Sequence, residues 1–193
     1  IFLNGEWMPV EDAKISVLDR GFIFGDGVYE YVPVIDGKPY RLDGHLIRLD
    51  NSCNEIGLKN PYSNARWAEL VLEAARRNGP GDQGVYWQIT RGVAKRDHSF
   101  PKDVEPTVFM MSNPLPKLTA EQVDNGVPCY TFPDKRWHRC HIKSISLLGN
   151  VLAKQHATEH GGAEVVMIRD GFMTEASASN VFCVFGDTIV SPP

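Results

Sequence analysis

The chain has 193 residues, 42% of them hydrophobic, enough to bury one sizeable core or two small ones, and its composition excludes disorder. A net charge of -4 gives no electrostatic reason to bind nucleic acid or an anionic membrane, and no apolar run approaches the ~18 residues of a membrane span. The first residues, Ile1-Phe2-Leu3-Asn4-Gly5-Glu6, lack the charged and apolar regions of a signal peptide, so small-molecule chemistry in the cytoplasm is the expectation. Cys53, Cys129, Cys140 and Cys183 are too scattered for a C-x-x-C redox pair or a zinc ribbon, and they are read as reduced thiols.

Gly25-Asp26-Gly27-Val28-Tyr29-Glu30 begins like a dinucleotide fingerprint but lacks the third glycine and leads into a strand, so its glycines are read as serving a tight turn. The strand is Val28 to Val34, which alternates as a half-buried element. Asp36-Gly37 then signals a two-residue hairpin into Pro39-Tyr40-Arg41-Leu42. A helix follows, with Asp43 as the expected N-cap and Leu46, Leu49, Cys53 and Ile56 as one apolar stripe; Arg48 lies beside that stripe. A second helix covers about 65–77, with Trp67, Leu70, Val71 and Ala74 inward and Asn78-Gly79-Pro80 as its stop.

Two β-rich runs, 85–90 and 107–111, flank a polar loop from Arg91 to Pro106 that is long for a hairpin, and loops of this length are often functional. The proline-bearing stretch after it predicts a boundary: an N-terminal domain over 1–112, a linker over 113–118 and a C-terminal domain over 119–193. Thr119-Ala120-Glu121-Gln122 reads as a capping box. Beyond it come a strand near 127–132, the segment Arg139 to Ser146, a helix from about 147 to 160 ended by Gly161-Gly162, and strands at 164–168, 172–174, 180–185 and 188–190 joined by tight turns.

Four features carry candidate chemistry. Lys143 stands between apolar neighbours, flanked by Arg139 and His141; an amine is nucleophilic only without its proton, and partial burial near other cations favours that form. Glu175 sits among the small residues of Thr174-Glu175-Ala176-Ser177-Ala178-Ser179-Asn180, where a carboxylate has room to meet a protonated ring nitrogen, or is simply an exposed turn residue. The Arg48 fork matches phosphate oxygens, although most arginines placed so are solvated. In the loop, Arg96 and His98 form a pair suited to a carboxylate, with a solvated basic loop as the alternative. His156-Ala157-Thr158-Glu159-His160 fits an inverted zinc-protease pattern. It falls in the last turn of a helix, where histidines favour the negative dipole end without any metal.

Taken in order, Asp19 to Glu30, His45-Leu46-Ile47-Arg48-Leu49, Ile142-Lys143-Ser144, Leu147-Leu148-Gly149-Asn150 and Thr174 to Asn180 resemble the motifs of the fold-type IV pyridoxal-phosphate enzymes. That family comprises D-amino acid and branched-chain aminotransferases and aminodeoxychorismate lyase. The resemblance implies an α/β (α+β type) protein of two domains, an N-terminal α/β sandwich and a C-terminal, mainly antiparallel β pseudo-barrel that is truncated here. It implies pyridoxal 5'-phosphate as cofactor, Lys143 as Schiff-base former and proton shuttle, Glu175 at the pyridine nitrogen and Arg48 on the phosphate.

The segment Arg91 to His98 looks like the D-amino acid version of the loop, in which an R-x-H pair and the tyrosine of G-V-Y-E trap the substrate carboxylate. Those roles fall on Arg96, His98 and Tyr29. The expected activity is amino transfer between a D-amino acid, such as D-alanine, and a 2-oxo acid, such as 2-oxoglutarate. In that branch the loop pair reaches the partner's active site, so a homodimer is implied. The alternatives are a branched-chain aminotransferase or aminodeoxychorismate lyase of the same fold and, in another class, a truncated non-catalytic module or a zinc-binding protein using His156 and His160. The chain starts without methionine and stops directly after an apolar run, so it is expected to be incomplete at both ends. Family chains continue with a glycine-Ile/Val-Thr turn that cradles the phosphate. These residues alone are therefore expected to bind the cofactor poorly or to be part of a longer chain.

Overall fold

The computed structural model describes residues 1–192, which divide into two compact units. The first unit takes residues 1–116 together with 139–146, and the second takes 117–138 and the described residues from 147 onward. The 139–146 segment, which lies within the C-terminal domain of the sequence reading, therefore groups with the N-terminal residues.

The first unit opens with β1 (Phe2–Leu3) and β2 (Glu6–Trp7), a 3-10 turn at Val10–Asp12 and the short helix α1 (Arg20–Phe24). Next come β3 (Gly27–Ile35), β4 (Lys38–Pro39), α2 (Leu42–Glu55), α3 (Asn64–Arg77), β5 (Gln83–Thr90) and β6 (Thr107–Pro114). The strands form one antiparallel sheet in the order β2-β1-β6-β5-β3-β4. Period-two alternation decides its faces. Val28, Val32 and Val34 of β3, with Val85, Trp87 and Ile89 of β5, turn to one side, where they meet Leu46, Leu49 and Cys53 of α2 and Trp67, Leu70, Val71 and Ala74 of α3 in a single core. The rings of Trp67 and Trp87 stack 5.7 Å apart inside it. Tyr29, Tyr86, Gln88 and Phe109 have the opposite parity and are partly exposed.

Asp36 (φ 49°) and Gly37 (φ 72°) both take left-handed conformations, as the turn between β3 and β4 requires. The start of α2 differs from the expected Asp43 cap. Arg41 is the N-cap residue at φ 51°, and Asp43 lies inside the first turn, where its charge favours the helix dipole. The cause is the hairpin: Tyr40 N–H bonds back to the Pro33 carbonyl at 2.8 Å, which fixes where the chain must reverse.

The second unit contains α4 (Ala120–Asn125), β7 (Cys129–Pro133), α5 (Leu148–Glu159), β8 (Glu164–Arg169), β9 (Phe172–Ala176), β10 (Cys183–Phe185) and β11 (Thr188–Val190). The expected capping box at Thr119 and Gln122 is formed. β7 and β8 are parallel, because a helical connection carries the chain back to the starting end of its neighbour; β8 and β9, and β10 and β11, are antiparallel hairpins. Ala153 and Ala157 of α5 pack on Val165 and Met167 of β8. Among the described residues, no helix is long and apolar enough to cross a membrane.

Candidate active site

Residues 143–145 attach to the free edge of β3. Tyr29 N–H donates to the Lys143 carbonyl at 2.9 Å and Ile145 N–H to the Gly27 carbonyl at 3.1 Å, with an antiparallel bridge between Val28 and Ser144. On the other side, Lys143 N–H donates to Ser52 Oγ of α2 at 3.1 Å. Ile142 is only 3% exposed and belongs to the core. The backbone of Lys143 is thus held from two directions, and its amine lies 4.2 Å from the centroid of the Tyr29 ring. Among the described residues no carboxylate pairs with it. The two basic residues beside it in sequence face elsewhere: Arg139 donates to Glu55, and His141 Nε2 is 3.8 Å from the same carboxylate.

Arg48 leaves α2 beside the core stripe and is 47% exposed. Its Nε and Nη2 grip Glu30 at 2.6 and 2.7 Å, and His45 Nδ1 lies 2.8 Å from the same carboxylate. Glu30 is fully buried. Burial pushes its carboxyl up, but the hydrogen bonds from Arg48 and His45 outweigh it and hold the group below the ordinary carboxylate range. The Glu30 hydrogen bond in turn raises the Arg48 guanidinium pKa. Arg48, Asn51, Asn54, Glu55 and His141 line an open cleft of about 530 Å³. Sequence reasoning missed Glu30, although the signal was present. An acid at the same strand parity as Val28 and Val32 has to be buried and therefore needs a cation.

Arg96 and His98 are exposed on the loop between β5 and β6. Both lie against Phe24 of α1, with the Arg96 Cζ 5.3 Å from its ring centroid and the His98 ring 5.4 Å away. Tyr29 lies instead beside Lys143 and Tyr86, and burial, then the neighbouring Tyr29, pushes the Tyr86 hydroxyl up to about 12. Arg96 and His98 thus share Phe24 as a neighbour, while the ring neighbours of Tyr29 are Tyr86 and Lys143.

In the second unit, Glu175 of β9 is 47% exposed and accepts from Arg136 Nη1. Asp134 fixes that arginine through Nε and Nη2, and also accepts from Thr174 Oγ1 at 2.8 Å. Burial opposes the charge on Asp134, yet the bonds from Arg136 and Thr174 hold its carboxyl far below the usual range. The small residues after Glu175 are organised by Glu164, which accepts from the Ser177 N–H, the Ser177 hydroxyl and the Ser179 hydroxyl. Neither Asp134, Arg136 nor Glu164 was evident from sequence, because each acts across strands. His156 and His160 have ring centroids 4.3 Å apart, and His160 Nδ1 lies 2.8 Å from the His156 carbonyl oxygen. Among the described residues there is no group of three potential metal ligands.

The model of the family described as Amino-transferase class IV matches residues 27–193. The chain belongs to the class IV aminotransferases. It is 41% identical over 193 residues to a D-alanine aminotransferase of Staphylococcus epidermidis and 39% identical to one of Bacillus licheniformis, covering all of this chain and 68% of each relative. Among solved structures, the branched-chain amino acid aminotransferase of Escherichia coli has a TM-score of 0.87 at 22% identity, covering 99% of this chain and 66% of that one. That of Thermoproteus uzoniensis scores 0.84 at 25% identity, covering 100% and 67%. These likenesses carry the two-domain α/β fold of the class IV aminotransferases.

Proposed function

We propose that this chain acts as a pyridoxal-phosphate-dependent transaminase that moves an amino group between a D-amino acid, such as D-alanine, and a 2-oxo acid, such as 2-oxoglutarate. The observation that carries the reading is Lys143, an amine fixed at its backbone from two sides and free of any carboxylate partner among the described residues. A lysine locked in a salt bridge is a poor nucleophile; this one is available. The relatives named D-alanine aminotransferase, similar over the whole chain, support the D-amino acid branch.

The residues present suit the cofactor. When bound, it supplies an aldehyde carbon that takes up the amine and a pyridine ring that draws electron density from the substrate Cα. Lys143 Nζ would be the amine that holds the cofactor, and the same amine would be the group placed to carry a proton at the substrate Cα. Arg48 would hold the phosphate, while Glu30 keeps the guanidinium in one orientation. Glu175, whose direction Arg136 fixes, would offer a carboxylate to the ring nitrogen. Tyr29, Arg96 and His98 bind the substrate carboxylate. Following the resemblance to the D-amino acid branch, the reading includes a cytoplasmic homodimer in which each loop serves the neighbouring subunit.

The test is borohydride reduction in the presence of pyridoxal phosphate. A peptide containing Lys143 is expected to carry the label, and Lys143→Ala should abolish both labelling and turnover of D-alanine with 2-oxoglutarate. An unlabelled Lys143 peptide sinks the proposal. Turnover of L-leucine in place of D-alanine moves the chain to the branched-chain branch.

A further inference from the structure

Arg96 and His98 sit near the tip of a long exposed loop, and a carboxylate clamp built on mobile side chains loses affinity to the entropy of ordering them. The structure holds the pair in place through α1, a helix more than seventy residues earlier in the chain. The ring of Phe24 is the common surface: Arg96 Cζ lies 5.3 Å from its centroid, within cation–π range, and the His98 ring is tilted 44° to it at 5.4 Å. One helical turn before Phe24, Arg20 fixes the loop's backbone. Its Nη1 donates to the Asp97 carbonyl at 2.6 Å and reaches the Ser99 carbonyl at 3.4 Å, the two carbonyls that flank His98.

Arg20 is itself anchored. It is buried, its Nε donates to Asp26 at 2.7 Å, and its guanidinium lies 4.8 Å from the centroid of the Phe24 ring. Asp97 Oδ1 accepts from Ser99 N–H at 2.9 Å, which closes the turn around His98 from within the loop. Backbone and side chains of the pair are therefore held by separate contacts, and the Phe24 ring lies beside both side chains.

We propose that Phe24 is a positioning residue for substrate-carboxylate recognition: its ring face sets the separation and orientation of Arg96 and His98, while Arg20 sets the backbone between them. This rests on the D-amino acid transaminase reading given above. Phe24 touches neither cofactor nor substrate in this scheme and acts only through its two neighbours. Loss of the ring should therefore weaken substrate binding and leave the chemical step and the bound cofactor alone.

The test uses the holoenzyme with D-alanine and 2-oxoglutarate. Phe24→Leu, which keeps apolar bulk and removes the ring, is expected to raise KM for both substrates by roughly five- to twenty-fold, with kcat within about twofold and the cofactor absorbance unchanged. Phe24→Tyr, which keeps the ring face, should hold KM within about twofold of the parent. The His98 ring-proton resonances are expected to move in Phe24→Leu and stay in Phe24→Tyr. An unchanged KM in Phe24→Leu, or a joint fall of kcat and cofactor absorbance, overturns the positioning role. A parent enzyme that turns over no D-amino acid instead overturns the transaminase reading, and this inference with it.

Discussion

Asp26 stands between two guanidinium groups, accepting from Arg20 Nε at 2.7 Å and from Arg91 Nε and Nη2 at 2.8 and 3.0 Å. Burial pushes its carboxyl up, but the hydrogen bonds from Arg91 and Arg20 prevail and hold the pKa below the ordinary value. The unfolded chain therefore binds a proton at a pH where the folded chain does not. The stabilisation is complete above the ordinary carboxylate pKa of about 4 and is lost as the pH falls through the depressed folded value. Asp26→Asn removes that dependence and leaves two buried cations without their counter-charge, so it should cost about 3 kcal/mol at pH 7. Urea unfolding across pH 2–7 checks both expectations. The variant is expected to be less stable at neutral pH and to show a shallower loss of stability below about pH 4 than the parent. Arg91 also donates to the Ile56 and Gly57 carbonyls beyond α2 and lies 3.7 Å from the Phe100 ring centroid, so the same substitution loosens a junction of four segments.

A single element, α2, serves the core and the site from different faces. Leu46, Leu49 and Cys53 enter the core, His45 and Arg48 reach Glu30, Ser52 accepts from Lys143, and Asn51, Asn54 and Glu55 line the cleft. The apolar stripe was legible in sequence because spacing of three and four residues is a local property of a helix. Its first residue was not, since the hairpin decides where the helix starts and the best capping side chain does not. The pairings of Lys143 and Arg48 were less legible: strand parity marks Glu30 as a buried acid that needs a cation, but only the meeting of strand and helix makes Arg48 that cation and brings Ser52 to Lys143. The coupling of core to site has a measurable consequence. Leu49 is fully buried, so Leu49→Ala is expected to lower stability by about 2–5 kcal/mol, through lost burial and the cavity left behind. A urea titration reads this as a lower midpoint with an unchanged slope.

At the scale of the whole molecule, sequence signals divide the chain at a proline-bearing stretch, while the contacts assign 139–146 to the first unit. Linker composition is local, and it carries no information about a short segment that leaves one unit to complete an edge of the other. Lys143 occupies that segment, so its position depends on how firmly eight residues attach to β3. Ile142 is their anchor in the core, and the flanking backbone bonds run from Tyr29 N–H to Lys143 and from Ile145 N–H to Gly27. Ile142→Ala removes the anchor and spares the core between β5 and the two helices. The segment should then detach by a local opening well before the unit unfolds. Amide hydrogen exchange measured by mass spectrometry separates local from global effects. Exchange at Tyr29 and Ile145 is expected to quicken by more than roughly tenfold, the scale of a lost buried side chain, while Trp87 in the centre of the sheet exchanges as before. Equal acceleration at Trp87 would mean that Ile142 stabilises the whole unit. The attachment of the lysine would then not be a separable property of the fold.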